Sequence, residues 1–439
     1  MKGLLLVFYN IFIIPLLLIG AHIVSLFHAK IRKGLKGRRA ALVQLNRDLS
    51  SFAHRPRVLI HVSSFGEWLQ VKPVLLNLKQ LCPEVLIVVS FFSPSGFDHV
   101  AIEPPIDVKC YLPIDSYFRM KKFVEMVMPR VAAIVRHDIW PNFLCRLKRE
   151  KIPVVLIDAS EPERSRLMSW CAHPFNRWIY PMFDRVLAIS DLEAKKLRRW
   201  LDDPQKINTT GDTKYDQVFQ RSQQLERIAQ ISRLPALQTR PIWVVGSSWP
   251  ADESYIIPAF KILLQQFRDL ILILVPHEPG PARLEQIERQ LHSANLTGLR
   301  LSQLNDRSFH HHCLIVDRVG LLATIYSLGK IAFVGGSFHF KIHNVLEPAV
   351  FGIPILFGPK MNNSAEAIHL LANNAAILVK STDEIVATIT RLMTEPEIAQ
   401  KYGERARQIV LQNVGSSIRV AEVLKEFLDH DQIRSGAES

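Results

Sequence analysis

The chain has 439 residues, 22% of them charged and 48% hydrophobic, with a net charge of +13 from 54 Lys and Arg against 41 Asp and Glu. That length exceeds one ordinary core and predicts two domains of globular composition. Gly (19) and Pro (26) are too few for collagen-like or low-complexity sequence, and a lone long apolar run excludes a polytopic membrane protein.

Residues 3–29 contain no Asp, Glu, Lys or Arg. A stretch of that length suffices to cross a bilayer, although Asn10 and Pro15 weaken it. Lys30, Arg32, Lys33, Lys36, Arg38 and Arg39 follow directly. The positive-inside rule then keeps the body of the protein in the cytoplasm, and a cleaved signal peptide is disfavoured because its charge would sit on the other flank. Residues 1–29 are therefore read as a membrane anchor and 30–56 as a basic juxtamembrane segment facing an anionic lipid surface. Nothing in the sequence matches a nucleic-acid-binding motif, so the basic charge is assigned to lipid and an acidic substrate. Cys82, Cys110, Cys145, Cys171 and Cys313 are odd in number and lack C-x-x-C spacing, which suits a reducing compartment.

Beyond the anchor the chain repeats apolar strand, turn and amphipathic helix. Strands are expected at 58–62, 85–91, 131–135, 154–157 and 186–189, with Val71, Val74, Leu75 and Leu78 forming the buried face of the first helix. Residues 192–201 predict a basic amphipathic helix. A second series of strands falls at 242–245, 270–275, 314–316, 331–334 and 353–357. Strands apolar throughout, alternating with helices, predict two doubly wound parallel sheets. The expected domains are 57–211 and 241–430, joined by a Gln- and Arg-rich linker at 212–240.

Ligands of such sheets bind beyond the carboxyl ends of the strands, so the loops there carry the chemistry. After the first strand, Gly66 and Glu67 open a helix. Glu67 either complements the helix dipole or serves as a general base. Ser247 lies in a small polar turn after strand 242–245, suited to a phosphate. Pro276, His277 and Glu278 end the next strand; adjacent His and Glu lack metal-ligand spacing, so no metal is expected. Gly335 and Gly336 precede Asn344 and Glu347, which read either as a capping box or as a nucleotide site with ribose on Glu347. The chain has no G-x-x-x-x-G-K-S/T loop, which disfavours ATP or GTP hydrolysis.

Seven segments then occur in one order: S-S-F-G-E (63–67), F-F-S-P-S-G (91–96), D-I-W-P-N (138–142), G-D-T-K-Y-D (211–216), G-S-S-W-P (246–250), P-H-E (276–278) and G-G-S with H-N-V-L-E (335–347). Together they resemble the 3-deoxy-D-manno-octulosonic acid (Kdo) transferases of lipopolysaccharide synthesis, over nearly the whole chain. The resemblance implies the GT-B fold, two Rossmann-like α/β domains facing a cleft. It implies inverting, metal-independent transfer of Kdo from the donor substrate CMP-Kdo to a lipid A precursor (lipid IVA) at the inner membrane, with no cofactor. It also makes Glu67 the general base and Asp138 and Lys214 transition-state supports, and places Pro276, His277, Gly320, Asn344 and Glu347 on CMP. The sequence departs from the family's E-T-E-L-W at Arg136-His137-Asp138, where one acid has become basic and another is shorter, at His277, where many have Arg, and at Lys341 and Ile342, which replace glycines. Two alternatives remain: a GT-B transferase with another nucleotide sugar or lipid acceptor, and an anchored nucleotide-sugar-binding protein without activity.

Overall fold

The computed structural model describes residues 2–52, 55–161, 166–224, 228, 235–304 and 309–436. The chain divides into two compact units, Met1–Gln217 with Gly415–Ser439 and Val218–Val414.

The first unit holds a seven-stranded sheet: β1 (Arg57–Val62), β2 (Leu86–Phe91), β3 (Val108–Tyr111), β4 (Val131–Val135), β5 (Val154–Ala159), β6 (Arg185–Ala188) and β7 (Ile207–Thr209), in the order β3-β2-β1-β4-β5-β6-β7. All pairs are parallel, with Val62 opposite Phe91 and His61 opposite Ile134. The second unit repeats the arrangement with β8 (Ile242–Ser248), β9 (Ile271–Pro276), β10 (Gly298–Arg300), β11 (Cys313–Ile315), β12 (Ile331–Val334), β13 (Ile355–Phe357) and β14 (Ile377–Leu378), in the order β10-β11-β9-β8-β12-β13-β14. These pairs too are parallel.

The ten expected strands are all present, and the four unexpected ones, β3, β7, β10 and β14, are the four sheet edges. The reason is physical. A central strand is covered on both faces and must be apolar at every position, whereas an edge strand is short and partly open. β7 reads Ile-Asn-Thr with two exposed residues, and β10 reads Gly-Leu-Arg with none fully buried. The helix expected at 192–201 forms as Asp191–Leu197 followed by a 3₁₀ turn at Arg198–Trp200.

Two expected boundaries move. Residues 212–217 belong to the first unit rather than to a linker: Thr213 is buried, and its N–H donates to Asp158 at 3.0 Å while its hydroxyl donates to the other carboxylate oxygen. The chain also returns to the first unit at Gly415. The Asp216 carboxylate accepts from the N–H groups of Gly415 and Ser416, at 3.0 and 3.1 Å, and from the Ser417 hydroxyl at 2.7 Å. Helix Ser416–Gly436 then packs on helix Phe65–Leu81, and its Val420, Ala421, Leu424 and Leu428 join the core of the first sheet. A sequence pattern shows that this last helix has an apolar face but not which sheet receives it. Leu424→Ala is expected to destabilise the first unit by about 2–5 kcal/mol, the usual cost of a buried Leu→Ala cavity. Chemical denaturation checks it, and an unchanged midpoint would mean that the helix does not dock there.

Candidate active site

Glu67 stands in the first turn of helix Phe65–Leu81, directly beyond β1. Its backbone N–H donates to Ser64 Oγ at 3.4 Å, and its carboxylate accepts from Ser63 N–H at 2.6 Å. The capping geometry and the candidate base are therefore the same carboxylate, and the cap fixes its position. Burial raises its pKa above the ordinary Glu value, against the lowering effect of the Ser63 hydrogen bonds. Asp138 raises it further and His61 lowers it.

Asp138 follows β4, and His61, fully buried on β1, reaches it. The His61 Nε2 lies 2.9 Å from Asp138 Oδ2, and Nδ1 lies 3.0 Å from Ser90 Oγ on β2. Three neighbouring strands thus hold one polar line, Ser90–His61–Asp138. Sequence reasoning missed His61, whose signal is a polar residue inside an otherwise apolar central strand.

Lys214 is placed by a second network. Arg136 adopts a left-handed backbone (φ 60°) at the end of β4; its Nε donates to Gln70 at 2.7 Å and its Nη2 meets the Asp212 carboxylate at 3.3 Å. Asp212 in turn accepts the Lys214 N–H at 2.9 Å and lies 4.0 Å from Nζ. Gln70 is on the helix that carries Glu67, so Arg136 ties the Lys214 turn to it. Beneath, the buried Asp158 carboxyl is pushed up to about 6 by desolvation and by Asp212, with Arg136 and Thr213 opposing. The first unit therefore gathers Glu67, Asp138 and Lys214 at the carboxyl edge of its sheet.

In the second unit the carboxyl ends of β8, β9 and β12 carry the remaining candidates. Ser247 adopts φ 52°, and a Cβ at Gly335 would lie 2.4 Å from its carbonyl oxygen, so only Gly lets these loops touch. Asp252 locks them: its carboxylate accepts from Trp249, Gly336 and Phe338 N–H groups at 2.9, 2.7 and 3.0 Å. Gly336, read from the sequence as part of a nucleotide site, gives its N–H to this carboxylate. Gly336 (φ 79°) makes the turn instead, because any side chain there would meet the Lys341 carbonyl.

Four rings stack beyond this lock. Trp249 lies 5.0 Å from His277 and 4.9 Å from His339, and His277 lies 4.3 Å from His343. The Trp249 indole N–H donates to His343 Nε2 at 3.0 Å, which requires that nitrogen to be unprotonated. Burial lowers both histidines, His343 to about 4, with its neighbours His277 and Lys341 adding to the shift. At neutral pH these imidazoles are uncharged, so they offer ring faces rather than countercharge. Pro276 ends β9 at this stack, and an open groove of about 620 Å³ next to it is lined by His277, Glu278, Gly280, Asp317 and Arg318. Gly320 follows at φ 86° with open space around it. Asn344 Oδ1 accepts from Leu346 N–H at 3.1 Å, starting the short helix Leu346–Ala349. Glu347 is raised by burial, while Arg221 at 3.4 Å and Asn344 oppose. Arg221, His339 and Trp249 were not legible as site residues, because each lies apart in sequence from the groups it meets.

Two parallel doubly wound sheets with their polar groups collected at the carboxyl edges define a GT-B-type protein. Solved structures agree at the level of fold: the UDP-GlcNAc 2-epimerase of Neisseria meningitidis bound to UDP-GlcNAc matches with TM-score 0.61 over 85% of this chain and 99% of that one, at 16% identity. Residues 34–217 match the family model for 3-deoxy-D-manno-octulosonic-acid transferase (kdotransferase). The 3-deoxy-D-manno-octulosonic acid transferase of Haemophilus influenzae is 27% identical over 85% of this chain and 88% of its own length, and that of Rickettsia felis 28% identical over 85% and 80%. Over these lengths the chain is similar to the Kdo transferases, and it is a glycosyltransferase.

A base must be ionised to act, so the acid limb of kcat/KM for Kdo transfer should lie above the ordinary Glu value. Because Asp138 holds the Glu67 pKa up, Asp138→Asn is expected to move the limb of the residual activity to lower pH. A pH–rate profile that stays in place would remove the coupling between the two carboxylates.

Proposed function

We propose that the protein transfers Kdo from CMP-Kdo to a lipid A precursor (lipid IVA), with inversion and without a metal. The observation that carries this reading is the Glu67 carboxylate, fixed by Ser63 and raised by burial, in a chain similar to the Kdo transferases. Inversion needs the acceptor oxygen to attack opposite the leaving nucleotide. A sugar hydroxyl does not ionise alone at neutral pH, so Glu67 takes its proton as the bond forms. Asp138, oriented by His61, and Lys214, placed by Asp212, supply charge beside the reacting centre.

The second unit supplies the donor groups in this reading. Neutral His277 and His343 present ring faces to the base or sugar, Arg318 in the groove and Lys341 beside the imidazoles meet the phosphate and the Kdo carboxylate, and Glu347 accepts from ribose while sharing Arg221. The integration of Arg136 into the Lys214 network argues against a lapsed enzyme, since the altered segment is built into the site.

Glu67→Gln keeps size and can still accept from Ser63, but cannot take a proton. It is expected to lower transfer by at least about 10²-fold, with CMP binding retained. Glu347→Ala should instead weaken CMP by about 1–3 kcal/mol. Calorimetry with CMP and transfer assays with CMP-Kdo and tetra-acylated precursor check both. Near-normal transfer by the Gln variant would remove Glu67 as the base, and tighter binding of a UDP-sugar than of CMP-Kdo would change the donor.

Attachment to the cytoplasmic face of the inner membrane belongs to the same proposal. Residues Leu5–Phe27 are apolar enough to cross a bilayer. Their first turns, however, dock on the first unit: the Tyr9 hydroxyl donates to Asp115 at 3.0 Å, and Asn10 exchanges hydrogen bonds with Asn142 at 2.9 and 3.0 Å. The returning helix Ala29–Ser50 docks on the same unit through Arg38, Ala41, Leu45 and Leu49. Both arms of this hairpin fixed to one body favour insertion from one face, with Phe8, Phe12, Leu16, Ile19 and Ile23 as the exposed apolar stripe. A protease site placed before Leu4 is then expected to be cut in inverted membrane vesicles and protected in right-side-out ones; the reverse pattern would show a crossing.

A further inference from the structure

One large cavity in the first unit is not part of the site above. It has a volume of about 360 Å³ and lies under the N-terminal hairpin, walled by Leu18 and Ala21 of one arm, Leu35 of the other, and Phe92 and Trp140 of the body. The size falls within the range of about 300–1,000 Å³ typical of small-ligand sites, and the lining is almost wholly apolar. An apolar void left empty forfeits contacts on every wall.

Its position narrows the occupant. One wall is the helix Ile14–Phe27, whose outer face carries the exposed apolar stripe, so a ligand reaches the cavity from lipid. The opposite wall is the loop after β2, and that loop is bonded to the one holding the base. Phe92 N–H donates to Val62 O at 3.1 Å and Ser93 N–H to Ser63 O at 2.8 Å, while Ser63 N–H holds Glu67. Arg38 sits at the junction. Its guanidinium lies 4.4 Å over the Phe92 ring and donates to the Phe92 and Leu112 carbonyls; burial lowers its pKa from the ordinary Arg value, with Tyr111 and Asp138 opposing. A fixed cation at this place suits the anionic head of a lipid whose tail enters the cavity. Trp140 stacks on Phe92 at 5.0 Å, and its indole N–H has no acceptor among the described residues.

We propose that this cavity receives one fatty acyl chain of the lipid acceptor, so that chain recognition and the general base share the loops after β1 and β2. The proposal rests on the reading of the acceptor as an acylated sugar. The reading and the cavity assignment are separated by using two acceptors, the tetra-acylated precursor and its fully deacylated sugar phosphate, each with CMP-Kdo and full-length enzyme.

Ala21→Trp and Leu35→Trp fill the cavity from different arms. Each is expected to raise KM for the acylated acceptor at least about tenfold more than for the deacylated one, the effect of excluding about two methylenes. Val43→Trp, on the exposed side of the returning helix, should leave the ratio unchanged. Sedimentation with vesicles of phosphatidylethanolamine and phosphatidylglycerol should be the same for all three variants and the wild type. Equal changes for both acceptors, or an unchanged ratio in both filled variants, overturn the proposal. So does loss of vesicle binding at an unchanged ratio, which would assign the cavity to a bilayer lipid. Wild-type enzyme that transfers Kdo to neither acceptor would sink the reading itself, and the cavity assignment with it.

Discussion

Parallel strand pairing brings the carboxyl ends of a sheet to one edge, and the chemistry of this protein depends on that constraint. A parallel strand cannot be followed by a hairpin; each needs a crossover that returns the chain to the opposite edge. Segments far apart in sequence therefore meet at the carboxyl edge. His61 and Asp138 are brought within 2.9 Å because β1 and β4 are neighbours. Trp249, His277 and His343 stack because β8 lies between β9 and β12.

The same constraint sets a cost. Polar groups at the strand ends are partly desolvated, and each must find a partner. The protein meets this with carboxylates that each satisfy several backbone donors: Asp115 for Asn142 and Phe143, Asp216 for the chain's return at 415–416, Asp252 for three loop N–H groups. These three fix loops. Glu67 follows the same pattern with one backbone donor, Ser63, so it is held in place by fewer loop groups than the other three. A structural cap and a general base are thus compatible in one side chain. The sequence alone left those two readings open because both need the same residue at the same position.

What could be read in advance follows from how information is distributed along the chain. Central strands such as Leu86–Phe91 are apolar at nearly every position and announce themselves; edge strands such as Ile207–Thr209 do not. Glu67, Asp138, Lys214, His277 and Glu347 could be singled out as candidates through ordered motifs, since each sits in a short local segment. Arg221 was not, because its partner Glu347 is distant in sequence and only folding joins them. The bond from the Gly336 N–H to Asp252 was not legible either: two glycines at a strand end mark a tight turn or a nucleotide loop, and the carboxylate that takes the donor lies far away in sequence. Asp216 shows the limit of composition, since a polar stretch that reads as a linker contains the carboxylate that receives the C-terminal helix.

The N-terminal segment carries the same lesson into the membrane. Tyr9 and Asn10 weaken an apolar run when the run is taken as a bilayer span, because a polar amide in hydrocarbon has no partner there. Against the body they are the means of attachment: Asn10 and Asn142 satisfy each other, and Tyr9 meets an Asp115 already bound by backbone. A wide turn at Tyr9–Ile13 falls at this contact, where a helix that bends its ladder can aim both side chains at one surface. The polar interruption therefore has its partners in the protein, which leaves the apolar stripe exposed for the lipid surface proposed above. Under the proposed attachment, such an anchor would set the height of the Glu67 loop above the bilayer, because the helix carrying the stripe is bonded to the same unit as that loop. An acceptor with one chain in the cavity beside that loop and its other chains in the bilayer would then have its headgroup hydroxyl brought to the proposed base.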